Sequence, residues 1–357
     1  MKRFPYSLFC ILLVTGLGGC GHIGYYGQAI SGHLDVMQRS RPIDAWLADN
    51  GTSPELRQRL RQARAIRAFA SRILHLPAND SYRQYADLER PYVVWNVIVT
   101  PALSLQPRQW CFPFAGCVDY RGYYDKADVL AFAGRLDHAD SDVYIAGATA
   151  YSTLGWFDDP LLSTMLYRDV SRLAEVIFHE LAHQKVYIPN DSAFNEAFAE
   201  AVAIAGTRRW LKDHADTDAL AAYETRLQRE QRLLNMLFAG RRELHAVYTS
   251  QASDADKRHL KQTVLAELTR HYWQLRGSEW RDFSGFDNFF TDGLNNAKLA
   301  AVATYHQLVP DFMRLLASLD HDFRRFYRQV ATLTGCAADD RRRWLQDQAT
   351  VRDCGDS

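Results

Sequence analysis

The chain has 357 residues, and 42 Lys and Arg residues balance 42 Asp and Glu residues, so its formal net charge is zero. Apolar residues make up 47% of the sequence and charged residues 24%, a globular composition that excludes a disordered or fibrous chain. Because balanced charge gives no general attraction to phosphate backbones, we do not expect a nucleic-acid-binding protein.

The N-terminus has the pattern of an export signal. Two basic residues precede the apolar stretch Leu8–Leu17, which is too short to span a bilayer but suits the core of a signal peptide. The small residues before Cys20 resemble the lipobox of bacterial lipoproteins, in which this cysteine is lipidated. The sequence therefore predicts a lipoprotein signal peptide over residues 1–19 and a lipid anchor on Cys20. Gly21 resembles the pattern sent to the outer membrane, so we expect a cell-envelope protein facing the periplasm; a simple cleaved signal followed by an incidental cysteine is the alternative.

The first strong helical pattern of the mature chain covers Pro54–Leu74. Ser53 is placed to cap it, and apolar residues recur on one face; they are Leu56, Leu60, Ile66 and Ile73. Its many arginines, Arg67 among them, are predicted to form a solvated face.

Three segments favour β-strands. Tyr92–Thr100 is rich in β-branched and aromatic residues, and Val118–Tyr120 and Val143–Ala148 are weaker candidates. Strands that precede long helices predict an α+β domain with a small sheet. No linker or repeat divides the chain, so residues 20–357 are predicted to form a single domain.

The cysteines of the mature chain are expected to form disulfides, because an exported protein meets oxidising conditions. Besides Cys20 there are four, which permit three connectivities. The pairs Cys111–Cys117 and Cys336–Cys354 are favoured because their members are close in sequence. Buried free thiols are the alternative.

The strongest chemical pattern is His179-Glu180-Leu181-Ala182-His183, inside a helical run over Val170–Val186. Four residues along a helix bring His183 to about 40° from His179, one turn higher, so both imidazoles can share a metal ion. Glu180 lies at the edge of this sector, where it can accept a proton from the attacking water. This is the arrangement of a catalytic zinc site. The alternative is a buried helix whose histidines bond to the backbone or to each other.

A catalytic zinc needs a third protein ligand, and a second helix follows the break at Pro189–Asp191. Glu196 and Glu200 are four residues apart on one face of it. We predict Glu196 as the third ligand and Glu200 as the acceptor of a histidine ring N–H. Two alternatives stay open: the roles of the two glutamates are exchanged, or Glu200 is a solvated residue.

The remaining chain is helical. The leucine-rich segments 217–246 and 254–276 are predicted to form an antiparallel helical hairpin. Further helix is expected over 292–346, with an interruption near Pro310.

The motif pair carries a family resemblance. An HExxH helix followed by an NExxA helix resembles the gluzincin branch of zinc metallopeptidases, which includes thermolysin and a large group of aminopeptidases. In thermolysin-like members the Asn-Glu element supplies the third ligand and an acid four residues later supports a histidine, a pattern that Glu196 and Glu200 match. Only 12 residues separate His183 from Glu196, fewer than in those families.

A closer resemblance covers nearly the whole chain. Five segments look like a bacterial family of predicted zinc aminopeptidase lipoproteins: 20–34, 110–124, 150–165, the HELAHQKVYI run and 294–305. The resemblance implies an α+β, predominantly helical, zincin-like metallopeptidase that binds one zinc ion and a peptide substrate. The added helical hairpin is an elaboration of that fold.

Peptidases of this type hold the substrate backbone along an exposed strand edge. The strand near Val143 and the residues after it are the candidate edge, and Tyr151, Ser152 and Thr153 are the candidate substrate-binding residues; an ordinary loop is the alternative. An aminopeptidase must also capture the α-ammonium group with a carboxylate. Asp158 and Asp159 are possible, but neither is assigned.

The oxyanion of the tetrahedral intermediate needs a hydrogen-bond donor besides the metal. Tyr305 resembles the tyrosines or histidines that serve this role in gluzincins. Tyr120, Arg121 and Tyr123 are rivals, and each is also compatible with a structural role.

The sequence thus predicts an envelope zinc peptidase with Glu180 as the proton acceptor. The aminopeptidase assignment comes from the family resemblance. An endopeptidase that acts on envelope proteins and a non-catalytic zinc-binding lipoprotein are the alternatives.

Overall fold

A computed structural model describes residues 20–112, 116–166, 169–214 and 216–347 of the protein. Helices make up most of these residues, in agreement with the predicted α+β, predominantly helical class. They are α1 (Cys20–Arg39), α2 (Ile43–Ala48), α3 (Pro54–Arg72), α4 (Lys126–Ala133), α5 (Ser163–Leu166), α6 (Val170–His183), α7 (Ser192–Asp213), α8 (Thr217–Thr249), α9 (Asp254–Gly277), α10 (Asp287–Thr291), α11 (Asn296–His306), α12 (Val309–Ser318), α13 (Phe323–Thr332) and α14 (Ala338–Asp347).

None of the helices described is both long enough and apolar enough to cross a bilayer. The predicted signal peptide, residues 1–19, lies outside the described residues. Its assignment stays a prediction, as does the division of the chain into that segment and one domain.

The strands form three small sheets. They are β1 (Ser40–Pro42), β2 (Gln84–Ala86), β3 (Val94–Pro101), β4 (Trp110–Phe112), β5 (Gly116–Val118), β6 (Arg121–Tyr123), β7 (Ser141–Ala148) and β8 (Leu161–Leu162). One sheet has the order β1-β2-β8, and the hairpin β4-β5 is the smallest. The third has the order β6-β3-β7 with antiparallel pairing, so β7 is an outer strand among the described residues.

The predicted strand Val118–Tyr120 is wrong. β5 ends at Val118 and β6 begins at Arg121, so Asp119 and Tyr120 lie between two strands. The reason is that β5 pairs with β4, whereas β6 pairs with β3. The chain changes sheets here, and both side chains line cavities.

Helix α3 carries its predicted cap, because the Ser53 hydroxyl accepts a hydrogen bond from the Leu56 N–H. Leu60 and Ile66 are fully buried, whereas Ile73 is 39% exposed. The predicted solvated arginine face is wrong for Arg67, which is buried. The loop after the helix explains this burial, because the Arg67 guanidinium donates hydrogen bonds to the loop carbonyls of Pro77, Asn79 and Ser81.

Helices α8 and α9 form the predicted hairpin, and their inner faces build a core of their own. At Gly240 the two helices pack tightly, because a Cβ there would be 2.4 Å from Leu268. Farther on, Pro310 stands in the first turn of α12 and accounts for the predicted interruption.

The main core surrounds α6 and α7. Gly206 of α7 packs directly against its neighbours: a Cβ at this position would lie 2.6 Å from Leu74 and 2.9 Å from Phe178 of α6. Only a glycine lets the two helices approach this closely. The closely packed pair α6 and α7 carries the site described next.

Candidate metal centre

Two histidines project from α6 toward one point. The helix is capped by Asp169, whose carboxylate accepts a hydrogen bond from the Arg172 N–H, and it ends at His183 rather than at the predicted Val186. His179 and His183 are one turn apart, and their Nε2 atoms are 3.1 Å from each other. Two ring nitrogens at this distance are suited to binding one cation between them.

Glu196 of α7 completes a group of three donors. Its Oε2 lies 3.2 Å from His179 Nε2 and 3.5 Å from His183 Nε2. The three donor atoms lie within 4.8 Å of one another.

This donor set fits zinc. Donor atoms at about 2.0–2.1 Å from one tetrahedral zinc ion are about 3.3–3.4 Å apart, close to the three separations here. Two imidazoles and one carboxylate are also a known catalytic ligand set for this ion. The residues present can therefore hold zinc.

The short connection between α6 and α7 positions Glu196. The side chain of Asn195 accepts a hydrogen bond from the Ile188 N–H and donates one to the Ile188 carbonyl, which closes the connection into a compact loop. Asp191 caps α7 and forms a buried ion pair with Arg341. These contacts explain how only 12 intervening residues can bring Glu196 to the histidines.

A disulfide hairpin supports the same loop. Cys111 and Cys117 face each other in β4 and β5 and form the predicted disulfide. The Asn190 side chain accepts a hydrogen bond from the Cys117 N–H, and Gly116 approaches Asn190 so closely that a Cβ would be 2.6 Å from its Oδ1. For the other predicted pair, Cys354 lies outside the described residues.

Glu200 lies on the other side of the His179 ring. Its Oε2 is 3.4 Å from His179 Nδ1. The structure thus brings Glu196 to the two Nε2 atoms and Glu200 to the remaining nitrogen of His179. An exchange of their roles would require both side chains to move.

Charges inside the site shift its pKa values strongly. Burial alone would raise the pKa of Glu196, but the neighbouring His183 and His179 hold that pKa down at about 2. Burial alone would lower the pKa of His179, but its hydrogen bonds to Glu196 and Glu200 raise that pKa well above its ordinary value. The pair favours a carboxylate facing a protonated imidazole, and a metal cation would take the place of that proton.

Glu180 points into the cavity beside the histidines but is outside the donor group. Burial raises the pKa of Glu180, although the charges of His179 and His183 oppose the shift. A carboxylate of raised pKa next to a metal centre is suited to accept and return a proton.

The cavity above the donors has a volume of about 520 Å³. Tyr120 and Tyr305 line it, and burial followed by the charge of Glu196 raises the pKa of both hydroxyls. Both therefore keep their protons and can donate hydrogen bonds. The rivals Arg121 and Tyr123 do not line it; the Arg121 guanidinium stacks 4.1 Å above the ring of Tyr25, in an aromatic cluster that includes Tyr123.

The outer strand β7 forms one wall of the cavity. The carbonyl of Val143 on its outer edge accepts a hydrogen bond from the Asn295 side chain. Because alternate residues of a strand direct their backbone groups to the same edge, Ile145 and Gly147 also face outward. Gly147, Tyr151 and Ser152 line the cavity.

Thr153 is not among the lining residues, because its polar groups bond within the loop. Its N–H donates to Asp159, and its hydroxyl bonds to the backbone of Phe157. Asp158 is exposed. Asp159 is buried, which raises its pKa to about 6 despite the hydrogen bond from Thr153. Neither aspartate lines the cavity.

Sequence reasoning missed Asp119. It lines a second cavity of about 230 Å³, which shares Asn96, Tyr120, Gly147 and Tyr305 with the larger one. The Asp119 carboxylate accepts hydrogen bonds from the Thr304 hydroxyl at 3.0 Å and from the Gln109 side chain, and no described Lys, Arg or His forms an ion pair with it. Burial raises its pKa. The incorrect strand prediction over Val118–Tyr120 assigned this residue to the interior of a strand. A break between two strands at this position would have indicated a residue free to line a cavity.

One of three comparisons with known proteins identifies a family. A family model described as a putative aminopeptidase matches residues 24–345, which include α6, α7 and every residue of the metal centre. Searches of curated proteins and of solved structures gave no match.

Proposed function

The chain belongs to this family, described as a putative aminopeptidase, and from that premise we propose that it is a zinc-dependent aminopeptidase with a zincin-like fold. The observation that carries the proposal is the convergence of His179 Nε2, His183 Nε2 and Glu196 Oε2. Peptide hydrolysis is the chemistry that such a donor set serves when an acid like Glu180 lies beside it.

These three residues would hold the ion. When bound, zinc supplies a Lewis acid that polarises a carbonyl and lowers the pKa of water. The Glu180 carboxylate takes a proton from the attacking water and returns it to the leaving amine. Glu200 holds the His179 ring through Nδ1, so that Nε2 stays directed at the metal position.

The cavity supports substrate binding in an extended conformation. The outward backbone groups of Ile145 and Gly147 can pair with a peptide added to the edge of β7. Tyr305 and Tyr120 keep their protons and can donate to the oxyanion that develops on the scissile carbonyl. The side chains of Tyr151 and Ser152 line the same wall.

Recognition of a free N-terminus is assigned to Asp119. An exopeptidase needs an anion for the substrate ammonium group. The other acids that line the two cavities belong to the metal centre, except for Glu175, which is paired with Arg226. Asp119 remains, at the side of the cavity bounded by Gly147 and Tyr305. This arrangement favours an aminopeptidase over an endopeptidase.

The proposed location is the cell envelope, with the lipid anchor on Cys20. Helix α1 begins at this residue, so the anchor would join the fold directly. Incorporation of labelled fatty acid, lost in Cys20→Ser, would test this separately from the chemistry.

The experiment for the proposed chemistry is zinc analysis together with hydrolysis of aminoacyl-chromophore substrates. We expect one zinc ion per chain and activity on free amino termini. Glu180→Gln should keep its zinc and lose roughly 10²–10⁴-fold in kcat/KM. The control is Glu224→Gln, which removes a carboxylate of α8 outside the site. A kcat/KM of Glu180→Gln close to that of the parent protein would refute the mechanism.

The alternatives give different results in the same experiment. An endopeptidase would cleave internal bonds of N-acetylated peptides as well as those of free ones. A non-catalytic zinc-binding lipoprotein would bind the ion and hydrolyse neither class.

A further inference from the structure

One face of α1 exposes apolar side chains to solvent. Tyr26, Ile30 and Leu34 are 37%, 61% and 50% exposed, and their spacing of four residues places them in one row along the helix. Residues 20–34 contain no Asp, Glu, Lys or Arg. The row is therefore apolar, and no charged side chain within residues 20–34 favours its exposure to water.

A loop beside α1 extends this face. In residues 149–159, Trp156 and Phe157 are 69% and 55% exposed, and the Phe157 ring lies 5.0 Å from the ring of His33 on α1. We call Tyr26, Ile30, Leu34, Trp156 and Phe157 the outer apolar surface. It holds five of the nine large hydrophobic residues that are exposed in the described part of the chain. Such a concentration indicates a contact surface.

The loop is held in place by polar contacts. The Thr153 hydroxyl bonds to the N–H and the carbonyl of Phe157, and Asp159 accepts from the Thr153 N–H at 3.0 Å. The Tyr151 hydroxyl lies 2.8 Å from His33 Nδ1, which ties the loop to α1. The aromatic side chains are thus presented to the exterior by a fixed loop.

We propose that the outer apolar surface lies in the interfacial layer of a lipid bilayer. The basic N-terminus and the apolar stretch Leu8–Leu17 lead the chain directly into α1, so the membrane-directed end of the protein joins the fold at this surface. Aromatic and aliphatic side chains on a short face without Lys or Arg suit the boundary between headgroups and acyl chains. The proposal rests on the envelope location proposed above and not on the peptidase chemistry.

The absence of basic residues in this face determines the kind of membrane contact. Attraction to anionic lipids requires Lys or Arg near the headgroups. Between residues 20 and 34 there is none. Binding is therefore driven by apolar burial and does not depend on anionic lipid.

The same elements also line the cavity. Tyr25 and Ala29 of α1 and Tyr151 and Leu154 of the loop belong to its wall. Contact of their outer sides with lipid holds the cavity next to the bilayer. The proposed substrates are consequently peptides at the membrane surface.

The test is flotation of the mature chain, residues 20–357, with phosphatidylcholine vesicles. Every form carries Cys20→Ser, so that neither a lipid anchor nor the basic and apolar residues 1–19 contribute to the binding. Ile30→Asn with Leu34→Asn, and separately Phe157→Ser, should each weaken binding, the double variant by roughly tenfold or more. Added phosphatidylglycerol should change nothing. The matched control is Leu130→Asn with Leu260→Asn, which removes exposed hydrophobics elsewhere and should bind like the parent.

Three results would overturn the proposal: equal binding by all variants, dependence on phosphatidylglycerol, or a dimer in light scattering that these variants dissociate. Thermal melts and zinc content report whether a variant is folded. A second measurement needs no disruptive change, but the parent protein has eight tryptophans, among them Trp156 of this surface, and its emission is subtracted first. Brominated lipid in the vesicles should then quench the emission added by Ile30→Trp and not the emission added by Leu260→Trp. Equal quenching at both positions would also contradict the proposal, whether or not the protein is a peptidase.

Discussion

Glu200 contacts the His179 ring nitrogen that faces away from Glu196. Its Oε2 lies 3.4 Å from Nδ1, whereas the Glu196 Oε2 lies 3.2 Å from Nε2. The two glutamates are neighbours on α7, and one imidazole lies between them. In this arrangement Glu196 would bind the metal, whereas Glu200 would orient the histidine that binds it.

The two glutamates should differ in their effects on zinc. Glu200→Gln should weaken zinc binding roughly 10–100-fold while one ion still binds at saturation, because the ring loses the partner that fixes its orientation. Glu196→Gln should abolish stable binding, since a donor is lost. Zinc competition with a chromogenic chelator measures both, and Glu224→Gln is the control. Equal losses in the two variants would favour an exchange of their roles.

Zinc affinity should fall as the pH is lowered. The pKa of His179 is raised by its hydrogen bonds to Glu196 and Glu200, so a proton occupies the ring at pH values where an ordinary histidine is neutral. Metal ligands must be deprotonated, so the proton competes with zinc below that pKa and the competition disappears above it. Glu200→Gln removes one of the bonds that raise the pKa and should move the midpoint of this dependence to lower pH. A midpoint that stays fixed would show that Glu200 does not set this pKa.

Asp119→Asn should reduce the preference for a free N-terminus. Loss of a charged hydrogen-bond partner predicts a fall in kcat/KM of roughly 10–100-fold for free aminoacyl substrates, with zinc content unchanged. Steady-state kinetics on a matched pair of free and acetylated substrates measures the effect. The control Asp158→Asn removes an exposed acid that does not line the cavity, and it should change neither kcat/KM nor the zinc content. A variant that discriminates like the parent protein would remove Asp119 from this role.

Arg341→Met should destabilise the protein by about 3–5 kcal/mol, because it leaves the Asp191 carboxylate buried without its partner. Denaturant unfolding of the zinc-loaded protein gives this value. Arg343→Met breaks an exposed pair with Asp340 and should cost at most about 1 kcal/mol. Similar losses of unfolding free energy in both variants would show that the buried pair stabilises the protein no more than the exposed one.

The local features of the site could be predicted from sequence because they depend on helical spacing. His179 and His183 share a face by periodicity, and the break after Pro189 fixed the start of the next helix near Glu196. The hairpin of α8 and α9 and the strand near Val97 followed from apolar patterns in the same way. Each of these features is set by residues close together in the chain.

The remaining features depend on contacts between distant segments. Asn190 meets Cys117 across 73 residues, and Asp191 meets Arg341 across 150. Arg67 is buried because a loop offers it three carbonyls, which no pattern within α3 reveals. Asp119 was missed because the exchange of strand partners on either side of it is decided by the whole sheet.

Gly206 does not contact the metal donors, yet it lies where α7 packs against α6, the helix that carries both histidines. It lies about 15 Å along α7 from Glu196, at the point where this helix meets Leu74 and Phe178. A methyl group here would meet the Leu74 side chain and the Phe178 ring, so that either these side chains or the two helices would have to shift. The proposed metal centre therefore rests on close packing in the apolar interior, at a residue that has no side chain.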